Sequence, residues 1–149
     1  MNEPDLLSGT ALAAFRLNGQ FLAVAEALAR PAGLTAARWQ VLGAVLHEPL
    51  PVSDVARAMG ITRQSVQRIA DLLVAGGLAA YVPNPAHRRA KLLAPTEAGL
   101  AAVDGITPAH AELAARLTRE LGGPVEFRQA LETLESLSGA LDSLGARGE

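Results

Sequence analysis

Apolar side chains recur at helical spacing near both ends of the chain. Residues 6–29 carry two apolar stripes, which predict a helix that is buried on two sides. A second pattern, over residues 127–144, alternates in steps of three and four, a spacing typical of a helix that pairs with a partner helix. The residues concerned are Leu17, Phe21, Val24 and Leu28, joined by Leu12, Phe15 and Leu22, in the first segment, and Phe127, Ala130, Leu134, Leu137, Leu141 and Leu144 in the second.

The middle of the chain predicts shorter helices, separated by residues that stop or cap them. Thr35 is a good N-cap for the first of these helices, and prolines at positions 49 and 51 are expected to end it. Gly60 suits a sharp turn after a short helix, and Thr62 is a good N-cap for the helix that follows. The predicted helices cover residues 36–47, 52–59 and 63–75.

Downstream of these helices lies the one β signal in the sequence. Residues 78–82 and 89–94 have strand length, and a loop containing proline and asparagine separates them, as in a hairpin. Thr96 then caps a long helix to about residue 121, with a kink or short break expected near Gly105 and Pro108.

The helix over residues 63–75 is amphipathic, and its polar face raises the question of what it contacts. Val66, Ile69, Ala70 and Leu73 form one stripe, and polar residues form the opposite stripe. A short helix, a three-residue turn and this second helix match a helix-turn-helix, whose second helix fits the DNA major groove. The alternative is a solvated surface helix. The polar residues expected to meet DNA are Arg63 on phosphate or guanine, Gln64 on an adenine edge, and Gln67 and Arg68 on base edges, with Ser65 on phosphate.

The predicted hairpin loop carries His87, Arg88 and Arg89, a basic tip that fits the minor groove next to the helix-turn-helix. The alternative is a solvated turn with exposed arginines. Charge along the chain favours the first interpretation. Residues 57–91 hold six basic residues and one acidic residue, whereas the remainder holds seven basic and fourteen acidic residues, so a basic segment lies inside a chain of net charge −2.

Composition narrows the function classes further. The chain has no cysteine, which excludes disulfides, thiolate metal sites and a cysteine nucleophile. His47, His87 and His110 are far apart without metal-ligand spacing, so we expect no metal and no cofactor. No phosphate loop, nucleophile elbow or paired carboxylates point to an enzyme. Without a signal-peptide pattern or a long apolar run, we expect a soluble cytoplasmic protein.

Three stretches together resemble the multiple antibiotic resistance regulator (MarR) family of winged helix-turn-helix transcription factors. They are GLTAARWQVLGAV at 33–45, VSDVARAMGITRQSVQRIADLLVAGGL at 52–78 and HRRAKLLAPTEAG at 87–99. The resemblance implies a mainly α fold with a DNA-binding lobe at residues 36–96, a two-stranded wing, and a helical dimerisation region at 6–30 and 97–146. It also implies a homodimeric repressor on an inverted repeat of double-stranded DNA, released by a small-molecule effector.

The resemblance assigns roles to particular residues. For DNA it adds Ser53, Thr62 and Lys91 to the residues above. An effector pocket is implied at Phe15, Trp39 and His47, although core packing is the alternative for these three. Dimerisation is expected through Leu17, Phe21, Phe127, Leu134, Leu137, Leu141 and Leu144.

Two departures from the family pattern affect the wing. The family usually has an acidic residue where this chain has His87, and a leucine where it has Pro95. Arg89 therefore lacks its usual carboxylate neighbour. Asp71 is a candidate partner for Arg88 or Arg89, and the alternative is that Asp71 is solvated. A second hypothesis for the whole protein is a winged helix that binds another protein rather than DNA, for which nucleic-acid binding would be weak and insensitive to salt.

Overall fold

The structure, a computed structural model, describes residues 1–147. Within this range it contains six α-helices, one 3₁₀ turn and one three-stranded antiparallel sheet, so the predicted mainly α fold is confirmed. The elements in chain order are α1 (Glu3–Ala29), the 3₁₀ turn (Arg30–Ala32), α2 (Ala36–Ala44), β1 (Leu50–Pro51), α3 (Val52–Met59), α4 (Arg63–Ala75), β2 (Ala79–Val82), β3 (Leu92–Pro95), α5 (Glu97–Leu121) and α6 (Pro124–Arg147).

The chain divides into two compact units, residues 1–107 and the residues from Pro108 onward. The first unit holds the hydrophobic core, to which α2, α3, α4, β3 and the first part of α5 contribute. Burial of these side chains supplies the main free energy that holds the elements together. The largest fully buried side chains are Leu42, Leu73, Leu93, Ile106, Val41, Val45, Val55 and Val66.

Capping residues explain where α2 begins. The Thr35 hydroxyl accepts a hydrogen bond from the Arg38 amide at 3.1 Å, as the sequence predicts. A second cap comes from α1, because the carboxylate of Glu26 accepts the Ala36 amide at 2.8 Å. A carboxylate at a helix start also opposes the positive end of the helix dipole. Glu26 therefore ties the end of α1 to the start of α2.

The sheet has one strand more than the sequence predicts. Residues Leu50 and Pro51 form β1, which pairs antiparallel with β3 in the order β1-β3-β2. Proline lacks an amide hydrogen but is tolerated on an edge strand, and β1 lies at an edge. The preceding helix α2 ends at Ala44, three residues earlier than predicted, because Val45 leaves the helical conformation with φ −110° and ψ 7°.

Helix α5 runs from Glu97 to Leu121 with Pro108 inside it, so of the kink or short break expected near Gly105 and Pro108, the break does not occur. Pro108 removes one helical hydrogen bond, but its φ is compatible with a helix and the pattern continues on both sides. At the start of α5, Thr96 caps the helix as predicted. Its hydroxyl accepts the Gly99 amide at 3.1 Å and donates to the Gly77 carbonyl at 2.6 Å.

The first and last helices leave most of their apolar side chains exposed in the single chain. In α1 only Ala29 is buried, and Phe15 is 73% exposed, so the two-sided burial predicted for this helix does not occur within one chain. In α6 no residue from 124 to 145 is buried, and Leu141 is 63% exposed. None of the helices within residues 1–147 is long and apolar enough to span a bilayer.

Candidate nucleic-acid interface

The turn between α3 and α4 positions the start of α4. Gly60 has φ 68°, a left-handed conformation that favours glycine. Thr62 then caps α4, since its hydroxyl oxygen accepts the Ser65 amide at 3.2 Å and the same hydroxyl donates to the Ser65 side chain at 2.8 Å. Helix α4 begins at Arg63 directly after this cap, as predicted. Thr62 and Ser65, both assigned to DNA contact from the sequence, thus form the cap.

Helix α4 has the two faces that its sequence predicts. Val66, Ala70 and Leu73 are buried in the core of the first unit. The opposite face is polar and solvent-accessible. A helix with one buried face and one exposed polar face can place its polar side chains in a DNA groove. The exposed polar residues on this face are Arg63, Gln64, Gln67, Arg68 and Asp71.

A cleft of about 250 Å³ brings the start of α4 together with the wing, the hairpin of β2 and β3. Three cationic side chains from two parts of the sequence line it, namely Arg63 from α4 and Arg89 and Lys91 from the wing. Ser53, at the start of α3, lies on the same cleft. The charges therefore converge on one concave surface, and a concave surface of one sign attracts polyanions.

These cations have no carboxylate partner in the part of the chain that the structure describes. One ion pair joins Arg57 to Asp54 at 3.6 Å, and both of its side chains are substantially exposed, so it contributes little to stability. Arg63, Arg89 and Lys91 thus remain available to an anionic partner. The same holds for Arg68, Arg88 and His87, which are exposed.

The wing tip is held by Asn84, which the sequence analysis did not single out. Its side-chain oxygen accepts the Ala86 amide at 3.0 Å, and its backbone carbonyl accepts the His87 amide at 3.2 Å. An Asn-Pro pair is a known signal for this kind of turn, so the residue could have been found from the sequence. The hydrogen-bonded turn thus lies directly before Arg88.

Asp71 is not the partner of Arg88 or Arg89, so that suggestion from the sequence is wrong. Its carboxylate instead accepts hydrogen bonds from the Tyr81 hydroxyl and from the Gln67 side-chain nitrogen, the latter at 3.0 Å. The Gln67 nitrogen also donates to the Tyr81 oxygen at 2.8 Å. Asp71 lies one helical turn beyond Gln67, and Tyr81 on β2 reaches both, so the observed partners of the carboxylate are neutral side chains and not the wing arginines.

The same contacts make Tyr81 a reporter of this network. Burial, the hydrogen bond to Asp71 and the negative charge of Asp71 raise the pKa of Tyr81 from 10.0 to about 12, and the hydrogen bond from Gln67 opposes the rise. Because the pKa is raised in the folded state, the network's contribution to stability is complete below pH 10 and is lost as the pH rises through about 12.

We predict that Asp71→Asn lowers the pKa of Tyr81, because it removes the charge that disfavours the phenolate. Gln67→Ala should raise that pKa further, since it removes the donor that stabilises the phenolate. Tyr81 is the single tyrosine of the chain, so ultraviolet absorbance of the phenolate measures its titration without interference. Equal midpoints for the parent protein and both variants would contradict the hydrogen-bond network.

The three residues assigned to an effector pocket differ in how far they are buried. Trp39 is half-buried and packs against the core, which fits the core-packing alternative, whereas Phe15 and His47 are exposed.

The residues assigned to dimerisation are divided between the units. In the first unit Phe21 is exposed and Leu17 half-buried, and in the second Phe127 is half-buried while Leu134, Leu137, Leu141 and Leu144 are exposed.

A helix-turn-helix that is preceded by strand β1 and followed by the basic hairpin of β2 and β3 defines the chain as a winged helix-turn-helix protein. Residues 32–90 match the sequence model of the MarR family. Curated proteins described as uncharacterised, from Mycobacterium tuberculosis and Mycobacterium bovis, are 44% identical over 93 residues, or 62% of this chain. The chain spans 65% of the length of these relatives.

Solved structures share the fold over nearly the whole chain. A MarR family transcription regulator superimposes with a TM-score of 0.79 at 22% identity, covering 96% of this chain and 95% of that one. MosR, a transcriptional regulator of M. tuberculosis in complex with DNA, gives 0.71 at 21% identity and covers 88% and 96%. CouR from Rhodococcus jostii, bound to p-coumaroyl-CoA, gives 0.72 at 26% identity and covers 86% and 90%. Residues 32–90 are therefore similar in sequence to the MarR family, and the fold of the chain is that of the regulators described above.

Proposed function

We propose that the protein is a sequence-specific regulator of transcription that binds double-stranded DNA as a homodimer on an inverted repeat and acts as a repressor. The observation that carries the proposal is the convergence of Arg63, Arg89 and Lys91 on one cleft without a carboxylate partner among residues 1–147. Unpaired cations beside an exposed helix start suit the phosphate backbone and base edges of a duplex. Residues 36–96 would form the DNA-binding lobe.

Each DNA-facing element would have a separate task. Gln64, Gln67 and Arg68, exposed on α4, would read base edges in the major groove, and Arg63 would contact phosphate. Arg88 and Arg89 in the wing would enter the flanking minor groove, where cations add affinity and a preference for A·T pairs. MosR, a protein of the same fold, was solved in complex with DNA, which supports DNA binding by this chain.

We further propose that residues 6–30 and 97–146 form the dimerisation region. In α1 and in α6 the exposed apolar side chains would leave large apolar patches on a monomer, and soluble proteins tend to bury such patches against a partner.

We predict a dimer by analytical ultracentrifugation at micromolar protein concentration. Leu134→Glu with Leu141→Glu should shift the protein towards monomer. The control is Leu72→Glu, which changes an exposed apolar residue of α4 outside the proposed dimerisation region. A parent protein that sediments as a monomer would contradict the proposal.

Release by a small-molecule effector is the remaining part of the proposal. CouR, at 26% identity, was solved with p-coumaroyl-CoA bound, which supports a ligand-responsive regulator. The residues proposed to line the pocket are Phe15, Trp39 and His47. Nothing in the sequence pattern supplies a set of catalytic residues, so a regulator rather than an enzyme is proposed.

Selection of bound sequences from random duplex DNA tests the function directly. Enrichment of an inverted repeat is expected, because a two-fold symmetric dimer binds two equivalent half-sites about one helical turn apart. Binding to the enriched duplex is then measured at several salt concentrations. A steep fall of affinity with salt supports phosphate contacts, whereas weak, salt-insensitive binding with no enriched sequence favours a winged helix that binds a protein instead.

A further inference from the structure

Helix α1 joins the core of the first unit through its last turn. Ala29 is fully buried there and Leu28 packs against the same core, whereas no residue of α1 before Leu28 belongs to that core. Just beyond the helix, the Leu34 amide donates to the Ala29 carbonyl at 3.1 Å. A helix of 27 residues is about 40 Å long, so a small change of angle at this attachment moves the far end by many ångströms.

The carboxylate of Glu26 adds a directional contact to this attachment. It accepts the Ala36 amide at 2.8 Å, from a residue that lies ten positions away on a different helix. The apolar contacts of Leu28 and Ala29 favour proximity without fixing an angle, because the burial of apolar surface is non-directional. A hydrogen bond to a carboxylate is short and geometrically specific, so Glu26 restricts the angle between α1 and α2.

The Ala36 amide has no ready substitute for this acceptor. It is one of the first amides of α2, which have no partner inside their own helix. The Thr35 hydroxyl accepts the Arg38 amide and not that of Ala36. Ala36 is 2% exposed, so water has little access to it, and loss of the Glu26 carboxylate would leave a buried donor unpaired.

The two helices that Glu26 joins have different tasks in the proposed function. Helix α2 packs with α3 and α4 in the core of the first unit, so its position is tied to that of the proposed reading helix. Leu17 and Phe21, which are proposed to contact the partner subunit, lie on α1 about two and a half and one and a half turns before Glu26. The angle at Glu26 therefore relates the dimer contacts of α1 to the DNA-binding lobe.

We propose that Glu26 is a positioning residue that fixes the separation of the two α4 helices in the dimer, and thereby the spacing of the half-sites that the protein accepts. The inference rests on the proposed dimer and on its DNA binding. Each base pair added between half-sites both separates and rotates them, so a dimer of fixed geometry accepts one spacing and a looser dimer accepts several. Glu26 thus contributes to specificity without touching DNA.

Distances between two spin labels in the dimer test this role without DNA. The chain has no cysteine, so Gln64→Cys, on the exposed face of α4, places one label on each subunit. Electron paramagnetic resonance should show a narrow distance distribution for the otherwise unchanged protein, and Glu26→Ala should broaden it. Thr35→Ala is the matched control, because it removes a cap at the same helix start without removing a contact to α1. Equal breadth in the Glu26→Ala and Thr35→Ala proteins overturns the inference.

Binding to duplexes of altered spacing tests the consequence for specificity. The parent protein should bind the selected inverted repeat roughly tenfold more tightly than repeats with one base pair removed or added between the half-sites. Glu26→Ala should reduce this discrimination by at least about threefold, and Thr35→Ala should keep it. Glu26→Gln retains an acceptor oxygen and should also keep it. A duplex with a single half-site is the affinity control, and Glu26→Ala should bind it as the parent protein does.

Circular dichroism establishes that each variant is folded before it is compared. If Glu26→Ala does not fold, Glu26→Asp takes its place, since it withdraws the carboxylate by one methylene. An alanine or aspartate variant with the parent's spacing preference overturns the inference and leaves the proposed DNA binding intact. A parent protein that is monomeric, or that binds no duplex, overturns the proposed function itself, and with it this inference.

Discussion

Gly99→Ala is expected to destabilise the first unit by about 3 kcal/mol or more, the upper part of the range for overpacked cores. Gly99 is buried in the first turn of α5, against the backbone of Leu78 at the start of the wing. A β-carbon at this position would lie 2.0 Å from the Leu78 carbonyl oxygen, well inside van der Waals contact. Backbone atoms on both sides would have to move, because no flexible side chain is available to give way.

The displacement would also disturb the hydrogen bonds that fix this junction. The Thr96 amide donates to the Leu78 carbonyl at 3.1 Å, and the Thr96 hydroxyl donates to the Gly77 carbonyl at 2.6 Å. Both bonds connect the start of α5 to the start of β2. A shift of α5 away from Leu78 would lengthen them, which adds to the steric cost.

Gly105→Ala is the matched control in the same helix. Gly105 is exposed, and a β-carbon there meets no atom within 4 Å. Alanine is a better helix former than glycine by about 0.5–1 kcal/mol, so this variant should gain stability. Chemical denaturation of both variants measures the two free-energy changes. A gain in stability for Gly99→Ala, or equal effects of the two substitutions, would contradict the close packing of α5 on the wing.

Features set by neighbouring residues could be predicted from the sequence. Helix α4 matches its prediction from Arg63 to Ala75, because the Thr62 cap and the spacing of its buried residues act within a few positions. Gly60 likewise takes the left-handed turn expected between the two helices. Capping residues and the spacing of apolar side chains act over a few positions, so a short stretch of sequence is enough to recognise them.

Features that join distant parts of the chain could not be predicted in this way. Strand β1 pairs with Leu92 and Leu93, about forty residues away. From the sequence alone, its Pro51 indicates the end of a helix and not a strand. Tyr81 is ten residues from Asp71 and fourteen from Gln67, and only the packing of β2 on α4 brings the three together. The mistaken pairing of Asp71 with the wing arginines has the same origin, since charge alone does not reveal a neutral partner.

The second large effect is expected from the wing cations that are proposed to face DNA. Arg88→Ala with Arg89→Ala is expected to weaken binding to specific and scrambled duplexes alike. These side chains are exposed in the wing and have no carboxylate partner among residues 1–147, so they are available to the DNA backbone and the minor groove. Each phosphate contact that is lost should lower the slope of log affinity against log salt by about one.

Gln64→Ala and Arg68→Ala should behave differently, because these residues are proposed to contact base edges. Each should cost roughly 1–3 kcal/mol on the preferred duplex, with a much smaller loss on a scrambled one, and should relax the preference at particular base pairs. The charge control is Arg119→Ala with Arg128→Ala, which removes two exposed arginines outside residues 36–96. Because both lie in the proposed dimerisation region, the variant is compared only if it sediments as the parent protein does. Its affinity and salt slope should equal those of the parent protein.

Binding of all variants to both duplexes at two salt concentrations separates the two roles. If the wing double variant keeps its affinity and its salt slope, the wing does not contact DNA. If Gln64→Ala and Arg68→Ala weaken all sequences equally, α4 contributes only charge and shape, and the base-reading role is wrong. Comparing the wing variant with the α4 variants is informative because Arg89 of the wing and Arg63 of α4 line the same cleft. DNA that binds at this cleft should therefore contact both elements at once.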